Sequence, residues 1–126
     1  VMEKNIDLKN SNYVVREEAS LQDVMEAITA NHSGSAVVID DKRHVIGIVT
    51  DGMIRRALIK GAIMQTPARQ VLNYNIISIQ NTDTKTLENV EKFFLDSPAY
   101  INVVPVVDDR NVLIAILIRG GSYKGV

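Results

Sequence analysis

The chain of 126 residues has no cysteine and no tryptophan, only three prolines and two histidines, and no excess of either charge. Without cysteine there is no disulfide framework, no thiolate metal site and no cysteine nucleophile, and the setting this fits is a reducing cytoplasm. Fourteen basic residues stand against fifteen acidic ones, so the net charge of −1 supplies no field that would draw the chain onto nucleic acid or a membrane surface. The few aromatics (Tyr13, Tyr74, Tyr100, Tyr123, Phe93 and Phe94) are too sparse, and too far from basic clusters, to stack single-stranded bases. The longest apolar run, Val112 to Ile118, is too short to cross a bilayer, and Met2 to Ser11 is too polar for the core of a signal peptide. His32 and His44 share no metal-ligand spacing with each other or with the carboxylates, and no nucleophile–base pair can be assembled. The expectations are therefore a soluble, non-catalytic chain with no metal, no nucleic acid and no membrane partner.

What the chain does contain is a repeat. Ala36 to Thr50 aligns without a gap to Val104 to Ile118, and both stretches read strand, polar turn, strand. The turns, Asp40 to Arg43 and Asp108 to Asn111, each begin with an Asp-Asp pair that suits turn formation better than acid–base chemistry. The flanking strands are apolar at nearly every residue, which predicts cover on both faces. A helix precedes each hairpin. Leu21, Val24, Met25 and Ile28 keep helical spacing behind a Ser20/Asp23 capping pair, while Leu87, Val90 and Phe94 do so in the second half, with Thr84 or Thr86 as cap and Pro98 beyond its end. Short extended pieces come earlier, at Tyr13–Arg16 and Ile76–Ile79, and before them Val1-Met2 and Val71-Leu72.

The first half continues into a helix after Asp51, with Ile54, Ala57 and Leu58 on one face and Gly61 as its stop. In the second, Gly120-Gly121-Ser122 breaks the chain, so that copy is expected to end frayed and to leave the Val112 to Ile118 strand in need of a covering partner. The fold class is α+β, with motif 1 at 1–66 and motif 2 at 67–126.

The stretch Gly47-Ile-Val-Thr-Asp-Gly-Met-Ile-Arg-Arg56 carries the candidate site. A buried strand there meets a hydroxyl and a helix start, where backbone N–H groups and the helix dipole favour phosphate. The candidate ligand-binding residues are Gly47, Thr50, Asp51, Gly52, Met53, Arg55 and Arg56. Asp51 suits helix capping, Met53 suits core packing, and at least one arginine of the pair must face solvent beside the apolar stripe.

Two tandem β-α-β-β-α units, with Val-Pro-Val-Val-Asp in the second and Gly-Ile-Val-Thr-Asp-Gly-x-Ile-Arg-Arg-Ala-Leu-Ile-Lys-Gly in the first, resemble the cystathionine-β-synthase (CBS) domain pair, or Bateman module. The resemblance covers essentially the whole chain and is nearest to pairs attached to sugar nucleotidyltransferases or arabinose-5-phosphate isomerases. It implies a regulatory piece of a longer enzyme, two sheets packed pseudo-symmetrically, homodimers, and a cleft that in relatives holds AMP, ADP, ATP or another phosphorylated ligand.

The family signature places a ribose-binding Asp or Asn three residues after the hydroxyl. That place is Met53 here, and in the second copy Ala115, Ile118 and Gly121 stand at all three signature positions. Losing a hydrogen bond to a charged group weakens a ribonucleotide by about 10- to 150-fold. Three readings fit: a phosphate ligand without ribose, a nucleotide held by backbone and apolar contacts, or a ligand-free dimerisation scaffold.

Overall fold

The computed structural model describes residues 11–120 and the backbone of 122–125. The Val1-Met2 piece and Gly121 lie outside the described residues. The first half contains β1 (Val14–Arg16), α1 (Leu21–Asn31), β2 (Ser35–Ile39), β3 (Val45–Thr50) and α2 (Asp51–Ile59). A 3-10 turn at Ala68–Gln70 leads to the second half: β4 (Ile79–Gln80), α3 (Thr84–Leu87), α4 (Val90–Leu95), β5 (Val103–Val107), β6 (Leu113–Ile118) and β7 (Ser122–Gly125). The sheets have the orders β1-β2-β3 and β4-β5-β6-β7. In each, the short first strand runs parallel to the middle one and the hairpin is antiparallel.

The doubly apolar strands are explained by four layers. Val37, Ile39 and Val45 of the first sheet meet Val103, Val107, Leu113 and Ile116 of the second in a core between the sheets. Alternate residues of the same strands, Ala36, Val38 and Val49, face outward onto Leu21, Val24, Ile28 and Ile54 of α1 and α2. Val104, Val106 and Leu117 pack in the same way on Phe94 of α4. Both copies shift register at one equivalent place, between Val38 and Ile39 and between Val106 and Val107. The extra residues are Ile46 and Ile114, so the repeat extends to its bulges.

The hairpin turns use their aspartates as expected. Asp40 Oδ1 accepts from the N–H groups of Lys42 (2.9 Å) and His44 (2.8 Å), and Asp108 Oδ1 from those of Arg110 (2.9 Å) and Val112 (3.0 Å). Arg43 (φ 70°) and Asn111 (φ 65°) close the turns in the left-handed region. The turns also pair with each other. Val45 N–H donates to Asn111 O (3.0 Å), Leu113 N–H to Arg43 O (3.0 Å), and the Asn111 amide to Val45 O (2.8 Å).

Three expectations are corrected. The second-half helix is broken into α3 and α4, and its caps are Asp83 and Asn89 rather than Thr84 or Thr86. The side-chain oxygens of Asp83 and Asn89 accept from Thr86 N–H and Lys92 N–H. Asn89, at φ −142°, starts a new helix where a single one would have to continue. The Ile76–Ile79 piece is reduced to a strand at Ile79–Gln80. The C-terminal tail does not fray: after Gly120 (φ 104°) it returns as β7, pairing along β6 from Ile118↔Ser122 to Ala115↔Gly125. β6 is thus paired on both edges, by β5 and β7, and is buried at every residue but Ile114, with Leu113, Ile116 and Ile118 in the inter-sheet core and Ala115 and Leu117 beside Phe94.

α1 and α2 end as their sequences direct. Ser20 Oγ accepts from Asp23 N–H (3.1 Å). Past α2, Gly61 N–H bonds to Leu58 O (3.1 Å) and Ala62 N–H to Ala57 O (2.9 Å), a Schellman stop at Gly61 (φ 109°). Gly47 has a different reason to be glycine. Asn73 pairs with Ile48 beside it, and a Cβ at Gly47 would lie 2.6 Å from Asn73 O and against Leu72 Cδ1. Gly47→Ala is expected to destabilise the chain by about 1–3 kcal/mol through overpacking, read as a lower urea midpoint at unchanged slope.

Candidate functional site

The seven residues singled out from the sequence are not brought to one place. Gly47 is buried under the Leu72–Asn73 segment. Thr50 is the N-cap of α2, its Oγ1 accepting from Met53 N–H (3.2 Å). Asp51 opens the helix, exposed, and its N–H donates to Gly34 O (3.0 Å). Two of the leading N–H groups that would serve an anion thus already have partners within the chain. Arg55 and Arg56 are both exposed, and the Arg56 guanidinium lies over Gly52, where an added Cβ would meet it at 3.1 Å.

Thr50 and Met53 line a cavity of about 230 Å³ at the end of the inter-sheet core. Ser35 and Ile48 complete its first-half wall. The connecting segment contributes Asn73, Asn75, Ile76 and Ile77, and the approach to β5 contributes Tyr100 to Val104. The walls therefore come from both sheets and from the segment joining them. Asn73 Oδ1 accepts from Asn75 N–H (3.0 Å), which turns the segment into the cavity. Sequence reasoning missed the asparagines and Tyr100. The signal was present as polar and aromatic residues in connecting stretches, but the Asn73–Ile48 pairing that aims them is a tertiary fact.

Among the described residues the second copy shows no equivalent of the Thr50 helix cap. Where the first has Thr50-Asp51, the second has Ile118, buried, and Arg119. The Arg119 fork donates to Phe94 O (2.8 Å), Pro98 O (2.7 Å) and Ile101 O (2.8 Å), and Nε donates to Asn102 Oδ1 (3.2 Å). Its guanidinium also sits 5.1 Å from the Phe94 ring centroid. The charge is thereby used on carbonyls at the end of α4 and in the loop after it. Asp51 and Arg119 both line a second, shallower groove with Gly34 and Asn102, and neither reaches the 230 Å³ cavity.

The groups with displaced pKa values lie elsewhere. Partial burial pushes the Asp40 carboxyl up, but hydrogen bonds from the His44 backbone and ring (2.9 Å) and from Lys42 outweigh it and hold it below the usual range. Asp108 is held down by the N–H groups of Val112 and Arg110. Both belong to the turns, and neither lines the cavity. Among the described residues no group of three or more His, Asp or Glu side chains could hold a metal ion.

Residues 2–60 match the family model of the CBS domain. The chain spans about a third of the length of the curated relatives it matches. It is 29% identical over 104 residues to an uncharacterized protein of Helicobacter pylori, covering 82% of this chain and 31% of that protein. It is 30% identical over 95 residues to the arabinose 5-phosphate isomerase GutQ of Escherichia coli, covering 75% of this chain and 28% of that protein. Among solved structures it is similar to the CBS-pair protein CBSX2 of Arabidopsis thaliana, with TM-score 0.66, 23% identity, and coverage of 88% and 83% of the two chains. It is similar also to the CBS domain protein PAE2072 of Pyrobaculum aerophilum complexed with AMP, with TM-score 0.62, 21% identity, and coverage of 83% and 78%. The first half of the chain thus matches the CBS domain, and the α+β fold of the whole is that of a CBS-domain pair.

Arg119→Ala is expected to lower stability by about 2–4 kcal/mol, since it strips partners from three carbonyls, and Arg119→Lys to recover less than half of the loss because it cannot form the fork. Chemical denaturation of the two variants beside the parent chain measures both.

Proposed function

We propose that the chain is a non-catalytic regulatory CBS pair of a larger cytoplasmic enzyme of sugar-phosphate metabolism, and that it senses a nucleotide-like ligand in the cavity between its halves. The observation that carries this reading is that the cavity is walled by both sheets and by the segment joining them. A ligand there can shift the relative orientation of the halves by its differential affinity for the two arrangements, and a few kcal/mol of such coupling is enough to alter an attached active site. The similarity to GutQ supports an arabinose-5-phosphate isomerase as the attached enzyme over a sugar nucleotidyltransferase. The AMP complex of PAE2072 supports an adenine nucleotide as the ligand class.

On this reading Thr50 and Met53 contact the ligand directly. Asp51, Gly52, Arg55 and Arg56 contribute the helix start and its surface charge, and Gly47 seats the connecting segment. The halves, 1–66 and 67–126, move as the two units of the sensor. A ligand-free dimerisation scaffold is the second reading, favoured by Ile59 at the end of α2 and Ile63 beyond it, 78% and 60% exposed.

A thermal-shift panel of AMP, ADP, ATP, CMP, CTP and arabinose 5-phosphate decides between them. The sensor reading expects an adenine nucleotide to raise Tm, by less in Thr50→Val. If no compound raises it at about millimolar concentration, the ligand reading fails and the scaffold stands. Both readings expect a homodimer in sedimentation at about 50 μM, and a monomer there would remove the scaffold.

A further inference from the structure

The chemical character of the same cavity narrows its ligand. Among the described residues, none that lines it carries a charge. The cations best suited to a phosphate are placed elsewhere: Arg55 and Arg56 are exposed outside the lining, and the Arg119 guanidinium is held by the carbonyls of Phe94, Pro98 and Ile101. The helix start at Thr50 has little left to offer, since Met53 N–H is taken by Thr50 Oγ1 and Asp51 N–H by Gly34 O. Burying a phosphate dianion in such a place is unfavourable, because no cation in the lining offsets its charge.

What the walls supply instead are amides and apolar surface. Asn73, Asn75 and Asn102 bring carboxamides, each able to donate and accept, and the engagement of Asn102 Oδ1 by Arg119 Nε leaves its N–H groups for a ligand. Met53, Ile76 and Ile77 supply flat apolar contact, and Tyr100 stands at the rim, 80% exposed. The volume of about 230 Å³ falls below the roughly 300–1,000 Å³ common for drug-sized ligands and suits one ring system with part of a sugar.

Resting on the proposal that this cavity is the ligand site, we infer that it receives an uncharged, hydrogen-bonding ring, a nucleobase or nucleoside, and that any phosphate on the bound molecule stays outside in solvent. The module is then a sensor indifferent to phosphorylation.

Isothermal titration of the chain with adenosine, AMP and ATP tests this. The expected result is three dissociation constants within about threefold of one another, changing little between about 50 and about 500 mM salt. AMP or ATP binding more than about tenfold tighter than adenosine, or losing that affinity steeply with salt, overturns this inference and leaves the nucleotide-sensor reading intact. Failure of all three to bind overturns both. Tyr100→Ala, at an exposed position where folding is not at stake, is expected to weaken all three alike by about tenfold through lost stacking. Unchanged affinity in that variant means that the ring does not lie in this cavity against Tyr100, and overturns the inference.

Discussion

The two hairpin turns exchange backbone hydrogen bonds, Val45 N–H to Asn111 O and Leu113 N–H to Arg43 O, and the relation is reciprocal under the repeat. That exchange sets how the two sheets face each other. With the turns tied, Val37 and Ile39 must look toward Val103 and Val107, and the apolar strands become the shared floor of a single core. Neither half would bury its strands on both faces alone, since only the other sheet covers the inner one. The cavity that lines up Thr50 with Tyr100 exists because the sheets part at the end of that core.

Within this near-symmetric frame the ends of β3 and β6 diverge. Thr50 opens a nine-residue helix and is spent as its cap, whereas Ile118 leads to Arg119, Gly120 and a returning strand. Arg119 ties down the loop after α4, and β7 covers the edge of β6. On the first side the Leu72–Asn73 segment does a similar service for β3 through the Asn73–Ile48 pair. Among the described residues, the pseudo-symmetric fold therefore places an uncharged cavity of amides and apolar side chains beside Thr50, and an arginine built into the scaffold after Ile118.

Much of the fold is legible in the sequence. The repeat, the hairpins with their Asp turns, α1 with its Ser20 cap, α2 with its Gly61 stop and the α+β class all follow from local chemistry and period. Such features depend on near neighbours, and near neighbours are visible in sequence. The break at Asn89 is harder to read because an i, i+3, i+7 pattern spans two short helices as readily as one long one, and the capping preference of Asp83 and Asn89 decides between them. The tail is harder still, because Gly-Gly marks a break without saying whether the chain returns.

The amino-acid sequence by itself determined the repeat of strand, turn and strand and its resemblance to a CBS pair, since strands apolar at nearly every residue must be covered on both faces. It also placed Met53 at the position where the CBS resemblance implies a ribose-binding Asp or Asn. Only the tertiary structure decided which polar groups meet in the cavity. Asn73, Asn75, Tyr100 and Asn102 are brought to Thr50 by strand pairing and loop anchoring across the two halves. The same packing took Arg55, Arg56 and Arg119 away from it, because a helix face and a set of unpaired carbonyls had prior claims on their charge.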